Sequence, residues 1–439
     1  MPGTRKGPAA GRYPRSLDVS AVTSQSAPVT SRLPASHRVH WLDGIRGGAA
    51  LFVVLHHIWS MSWPSFPSNS GPWWLGWLLY GHMAVAIFIV VSGFSLALAP
   101  VGNGGKLKAG VRRFLRRRAW RIIPAYWAAL VLSMVVTALL LRPDLAPTAI
   151  AKSLAVHGLL LQDVVGSESP NGALWSIAIE WQIYFVFPLI LWLGRRISLG
   201  TAVLITTALA LVAHAIANLG GPFEKIDGLT PQFLALFALG ALAVQLGSGG
   251  RAARLRRPLG AVGLVALLAF MLVAATHSSE WVVARFFWMD LLFGFGVACL
   301  LALMHAGGSA TARGVLASRA ALWLGLFSYS IYLVHAPIVG FLNKYVFGLM
   351  DVSPLATFGL TLALGLPVIL ALCYGFHLVF EAPFLRRRDL SALWTLPILR
   401  VLPRAPKPRA GRVGTPPEET SGPRIISPPQ PAAGEQPVG

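Results

Sequence analysis

Ten apolar runs, each about as long as a helix that crosses a bilayer, restrict what this chain can fold into. They cover roughly residues 42–62, 80–99, 119–141, 173–194, 198–219, 230–248, 258–276, 284–306, 321–343 and 355–380. A helix of about 20 residues spans a hydrocarbon core of about 30 Å, and the alternation of a transmembrane barrel is absent. The expected fold class is all-α, a polytopic membrane bundle of about ten transmembrane helices. Charged residues make up 12% of the chain, against about 25% in a typical soluble domain. Residues 150–161, "IAKSLAVHGLLL", are too short to span and are expected at the interface.

The net charge of +21 calls for anionic surroundings, and its distribution says which. With the amino terminus taken as cytoplasmic, 31 of the 37 Lys and Arg lie on the cytoplasmic side. Arg142, Lys152, Lys225, Arg285 and Lys344 lie outside, and Arg46 lies within a run. Such an excess marks cytoplasmic loops, so both termini are expected in the cytoplasm, with the bilayer as partner and no nucleic acid. Residues 1–41 and the Pro-rich 389–439 read as disordered cytoplasmic tails around a transmembrane domain of residues 42–388. Cys299 and Cys373 both sit in apolar runs, so neither a disulfide framework nor a metal site is expected.

Four stretches place polar groups where hydrocarbon disfavours them, at about 2.5–3.5 kcal/mol for a charge on insertion scales. In "LDGIRGGAALFVVLHH", residues 42–57, Arg46 and His57 are eleven residues apart, so they share one helical stripe with Asp43. His56 points about 100° away and reads as a hydrogen-bonded structural histidine, a reading that competes for His57 too. In "RRFLRRRAWRIIPAYW", residues 112–127, Arg117 and Arg118 share a face with Arg121, and Pro124 can kink the helix. Some of these arginines anchor lipid phosphate. Arg121 sits among apolar residues and points to a ligand with several phosphates, which guanidinium groups bind bidentately.

In "ALWSIAIEWQIYFVFP", residues 173–188, Ser176, Glu180 and Tyr184 recur every four residues. Glu180 has no basic neighbour within eight residues, so it needs a distant partner or a proton. In "LGLFSYSIYLVHAPIV", residues 324–339, Ser328, Tyr332 and His335 share a face that suits a packed polar patch as well as catalysis. Counted from the cytoplasmic helix ends, His57, Glu180 and His335 all fall about 21–22 Å deep, which suggests one site.

Together these stretches resemble the acyltransferase-3 family of integral membrane O-acyltransferases, which modify bacterial polysaccharides, lipid-linked sugars and some antibiotics. The resemblance also rests on "FIVVSGF" at 88–94 and "FEAPF" at 380–384, and it runs from about residue 40 to 388. It implies a multi-pass protein of a bacterial cytoplasmic membrane. The acyl group, by default acetyl, comes from acyl-CoA as donor substrate, with no bound cofactor, and goes to a hydroxyl of a carbohydrate or glycolipid acceptor. Arg46, Arg117, Arg118 and Arg121 are then expected to hold the donor. His57 is expected as general base, with Glu180 supporting the base, orienting the acceptor or pairing with an arginine. An acyl-histidine intermediate remains open. Asp43, Ser92, Trp175, Ser176, Tyr184, Ser328, Tyr332, His335 and Glu381 are expected to support the site.

No His is followed by Asp five residues on, so the H-x-x-x-x-D pattern of glycerolipid acyltransferases is absent. The outside loops are short, so direct action on the acceptor or a separate partner is expected. A proton-coupled transporter is the competing class, because intramembrane Arg, His and Glu also mark carriers.

Overall fold

The computed structural model describes residues 39–389 and Ala392, so the two tails lie outside the described residues. Each of the ten predicted runs is helical, 321–343 as two helices, and no strand occurs among the described residues. In chain order they begin with α1 (His40–Ser62), α2 (His82–Val101) and α3 (Gly110–Val136). The short α4 (Pro147–Gly158) comes next, followed by α5 (Trp175–Arg196), α6 (Leu199–Ala217) and α7 (Gln232–Leu246). The series ends with α8 (Ala252–Thr276), α9 (Phe286–His305), α10 (Arg319–Leu326), α11 (Ser328–Leu342) and α12 (Pro354–Arg386). Residues 150–161 fall largely in α4, which is 12 residues long and too short to span.

Eight of these helices are long and apolar enough to cross a membrane among the described residues, nine when α10 and α11 count as one span bent by 71°. Helix α1 supplies the tenth predicted run; Asp43, Arg46, His56 and His57 leave its 23 residues less apolar than the rest. The bend between α10 and α11 falls at Phe327 and starts a new helix at Ser328. Helix α3 continues unbroken through Pro124. The exposed apolar side chains of α8, such as Leu264, Val265, Met271 and Leu272, are the contiguous face that a lipid-facing helix presents.

The core lies where α1, α2, α5, α7 and α11 meet, around the fully buried Trp59, Phe94, Phe187, Phe233 and Phe237. Helices α2 and α7 approach closely because two glycines face backbone: a Cβ on Gly93 would collide with the Phe237 carbonyl, and one on Gly240 with that of Val90. Hydrocarbon gives no hydrophobic drive for helix association, so such close contact must come from small residues. The approach sets the position of α2, which walls both cavities described next.

Candidate active site

The first cavity, a partly open space of about 780 Å³ counting its mouth, lies between α1, α2, α3, α5 and α11. Arg46, Arg118 and Arg121 line it, as do Ser92, Ser176, Glu180, Tyr184, Ser328 and Tyr332. Three guanidinium groups face one carboxylate there, so the cavity is electropositive. Arg46 is held in place by Ser95, to whose Oγ its Nη2 donates at 2.6 Å, and by Asp43 Oδ1 at 3.3 Å. Glu180 accepts from Tyr184 Oη at 2.6 Å, and that hydroxyl also stands 3.3 Å from Ser92 Oγ. Arg118 has a buried Nε without a hydrogen-bond partner among the described residues. Its donor is unspent, which suits an anionic ligand.

The second cavity, about 600 Å³, is lined by His56, His57, His82, Trp175, Phe286 and Tyr332 among others. The His57 imidazole forms no hydrogen bond among the described residues and stacks on His335, with ring centres 4.9 Å apart and planes 24° from parallel. His335 is fully buried; its Nδ1 donates to the Ile331 carbonyl at 2.8 Å, and its Nε2 has no partner among the described residues. His56 donates from Nδ1 to the Leu78 carbonyl at 2.8 Å, the structural role expected of it, yet it also lines this cavity.

The two cavities share Val85 and Tyr332. Arg46 and His57, on one stripe of α1, therefore serve different chambers. The same partition separates Glu180 from His57, on which His335 stacks, so equal depth did not place all three in one cavity. Glu180 sits among arginines because α5 passes beside α2 and α3, a packing that depth along a single helix cannot reveal.

The remaining expected residues are distributed as follows. Trp175 lines the histidine cavity and stacks on His82, ring centres 5.5 Å apart. Ser328 donates to the Gly325 carbonyl at the edge of the arginine cavity. Arg117 is exposed and lines neither cavity. Glu381 is buried away from both and accepts from Ser330 Oγ at 2.6 Å and His377 Nδ1 at 2.9 Å.

Sequence reasoning missed His82 and Asp290, whose side chains meet at 2.9 Å across 208 residues of chain. The clue was present, since Asp290 is a lone carboxylate in "FFWMDLLFGF", the same anomaly that marked Glu180. Among the described residues no group of three metal-ligating side chains occurs, and Cys299 and Cys373 are free and buried.

Comparison with known proteins places these chambers in context. The chain is 28% identical over 324 residues to "Putative peptidoglycan O-acetyltransferase YrhL" of Bacillus subtilis (strain 168), covering 68% of this chain and 48% of that protein. It is 24% identical over 328 residues to "O-acetyltransferase OatA" of Staphylococcus aureus (strain NCTC 8325 / PS 47), covering 69% and 51%. The chain thus spans about half the length of the curated relatives it matches. No solved structure matches. A family model described as "Acyltransferase domain" matches residues 39–377, well over half of the sequence, and the chain belongs to this acyltransferase-3 family.

Proposed function

We propose that the protein is a membrane O-acyltransferase that moves an acyl group, acetyl by default, from acyl-CoA to a hydroxyl of a sugar-containing acceptor. The observation that carries this reading is the pair of unlike chambers meeting at Tyr332, one lined by arginines and one by histidines. Coenzyme A carries several phosphate charges, which suit Arg46, Arg118 and Arg121. Its pantetheine arm is long enough to bring the thioester up to Tyr332. The name of the Bacillus subtilis relative, a putative peptidoglycan O-acetyltransferase, supports a cell-wall glycan as acceptor. The excess of Lys and Arg supports a cytoplasmic arginine cavity and a histidine cavity open to the far side.

In the reaction, the acceptor oxygen attacks the thioester carbonyl carbon and the carbon–sulfur bond breaks. His57, whose imidazole has no hydrogen bond to give up among the described residues, takes the hydroxyl proton. Glu180 keeps the Tyr184 hydroxyl in place on the donor side and supplies a carboxylate facing the guanidinium groups. The test is transfer of label from acetyl-labelled CoA to host glycans in membranes carrying the chain. Uptake of a solute with no CoA released and no acceptor acylated would favour a carrier instead.

A further inference from the structure

His82, the first residue of α2, lines the histidine cavity together with His57. Its Nε2 lies 2.9 Å from Asp290 Oδ2 on α9, and Gln232 Nε2 donates to the same oxygen at 3.0 Å. Facing an acceptor oxygen, His82 carries its proton on Nε2, and its Nδ1 has no hydrogen-bond partner among the described residues. The ring is clamped between Phe286, with centres 4.2 Å apart and planes at 6°, and Trp175, at 5.5 Å and 7°.

Asp290 is fully buried, and its Oδ1 has no partner among the described residues. Burying a carboxylate is costly, and orienting an imidazole does not require one. His56 and His335 in the same region are oriented by the backbone carbonyls of Leu78 and Ile331, each at 2.8 Å. A carboxylate adds what a carbonyl lacks, a full negative charge to match an imidazolium.

We propose that His82 and Asp290 form an acid–base dyad of the histidine cavity, on which the proton lost by the acceptor hydroxyl comes to rest. The proposal rests on the acyl-transfer reading above. As the new carbon–oxygen bond forms and the carbon–sulfur bond breaks, coenzyme A leaves as a thiolate. The hydroxyl proton passes to His57 and on to Nδ1 of His82. His57 and His82 line the same cavity, so the proton crosses that cavity between them. The thiolate takes a proton from water on the arginine side, and His82 returns its own to water on the histidine side, so the turnover balances.

The test uses the full chain in lipid nanodiscs, with acetyl-labelled CoA and a host glycan extract as acceptor. In Asp290→Asn the side-chain oxygen still accepts from Gln232 and His82, so ring orientation survives while the charge is lost. The expected result is a kcat lower by about 100-fold or more, an acceptor KM within about twofold of wild type, and a near-native unfolding midpoint. A kcat within about threefold of wild type in this variant overturns the dyad, because orientation alone then suffices. His82→Ala is the second arm. It should lose turnover and regain part of it with added imidazole, which fits the space that the deleted ring vacates in the cavity. A folded His82→Ala protein that imidazole does not restore also overturns the dyad. A wild-type chain that labels no acceptor overturns the acyl-transfer reading itself, and the dyad with it.

Discussion

Tyr332 Oη stands 2.6 Å from Ser176 Oγ, and this hydrogen bond between α11 and α5 lies on the boundary of the arginine and histidine cavities. Tyr332→Phe keeps the ring but strands a buried Ser176 hydroxyl. The expected cost is about 1–3 kcal/mol of stability, the penalty for leaving a buried hydroxyl without its partner. Acyl transfer should fall while the KM for acyl-CoA stays constant, because the tyrosine guards the passage and not the phosphates. Thermal unfolding and donor kinetics on the same preparation check both parts.

Arg118 and Arg121 line the arginine cavity, whereas Arg117 one residue away is exposed and lines neither chamber. A hydrogen bond to a charged group contributes about 1.5–3 kcal/mol, so Arg118→Ala and Arg121→Ala should each raise the KM for acetyl-CoA by about 10- to 100-fold. Arg117→Ala should leave it within about twofold. Acetyl-pantetheine, a donor without phosphates, should be indifferent to all three substitutions. Equal sensitivity to both donors would mean the arginines act on the fold.

The contact of α2 with α7 leaves no room at Gly93, whose Cβ would meet the Phe237 carbonyl. Backbone cannot swing aside as a side chain can, so Gly93→Val should destabilise the protein by more than the about 1–3 kcal/mol usual for overpacking. Detergent-solubilised variant should run as aggregate by size exclusion. A monodisperse Gly93→Val protein with a native melting temperature would show that α2 can shift.

Asp163 lies in the short helix Gln162–Val165, outside the spanning helices, and its Oδ2 is buried without a hydrogen-bond partner among the described residues. Burial pushes this carboxyl from 3.8 up to about 7. Between those values the folded chain holds a proton that the unfolded chain has lost, so stability is full below pH 3.8 and declines as pH rises through about 7. Asp163→Asn should remove that part of the slope and raise the melting temperature at pH 8 relative to wild type. Identical pH dependence in both proteins would contradict the assignment.

The spans were legible because a bilayer imposes a length and an apolar composition on every crossing helix, and each of the ten runs emerged as helical, one of them in two pieces. Local spacing was equally readable: Asp43 does reach Arg46, and Tyr184 does bond Glu180 one turn away. What spacing along one helix cannot supply is rotation relative to neighbours. That rotation separates Glu180 from His57, although both were expected at one depth. It also pairs His82 with Asp290, two residues with no periodic link. The bend at Phe327 was not foreseen: "LGLFSYSIY" carries Gly325 and Ser328 beside the turn, but the run around it has the length of one continuous span.

The central claim is acyl transfer to a hydroxyl in the histidine cavity, and membranes carrying wild type or His57→Ala at equal levels test it most directly. With acetyl-labelled CoA and extracted host glycans, label should reach the glycan fraction with wild type and fall by about 100-fold or more with His57→Ala. Equal labelling by the two proteins would contradict the account.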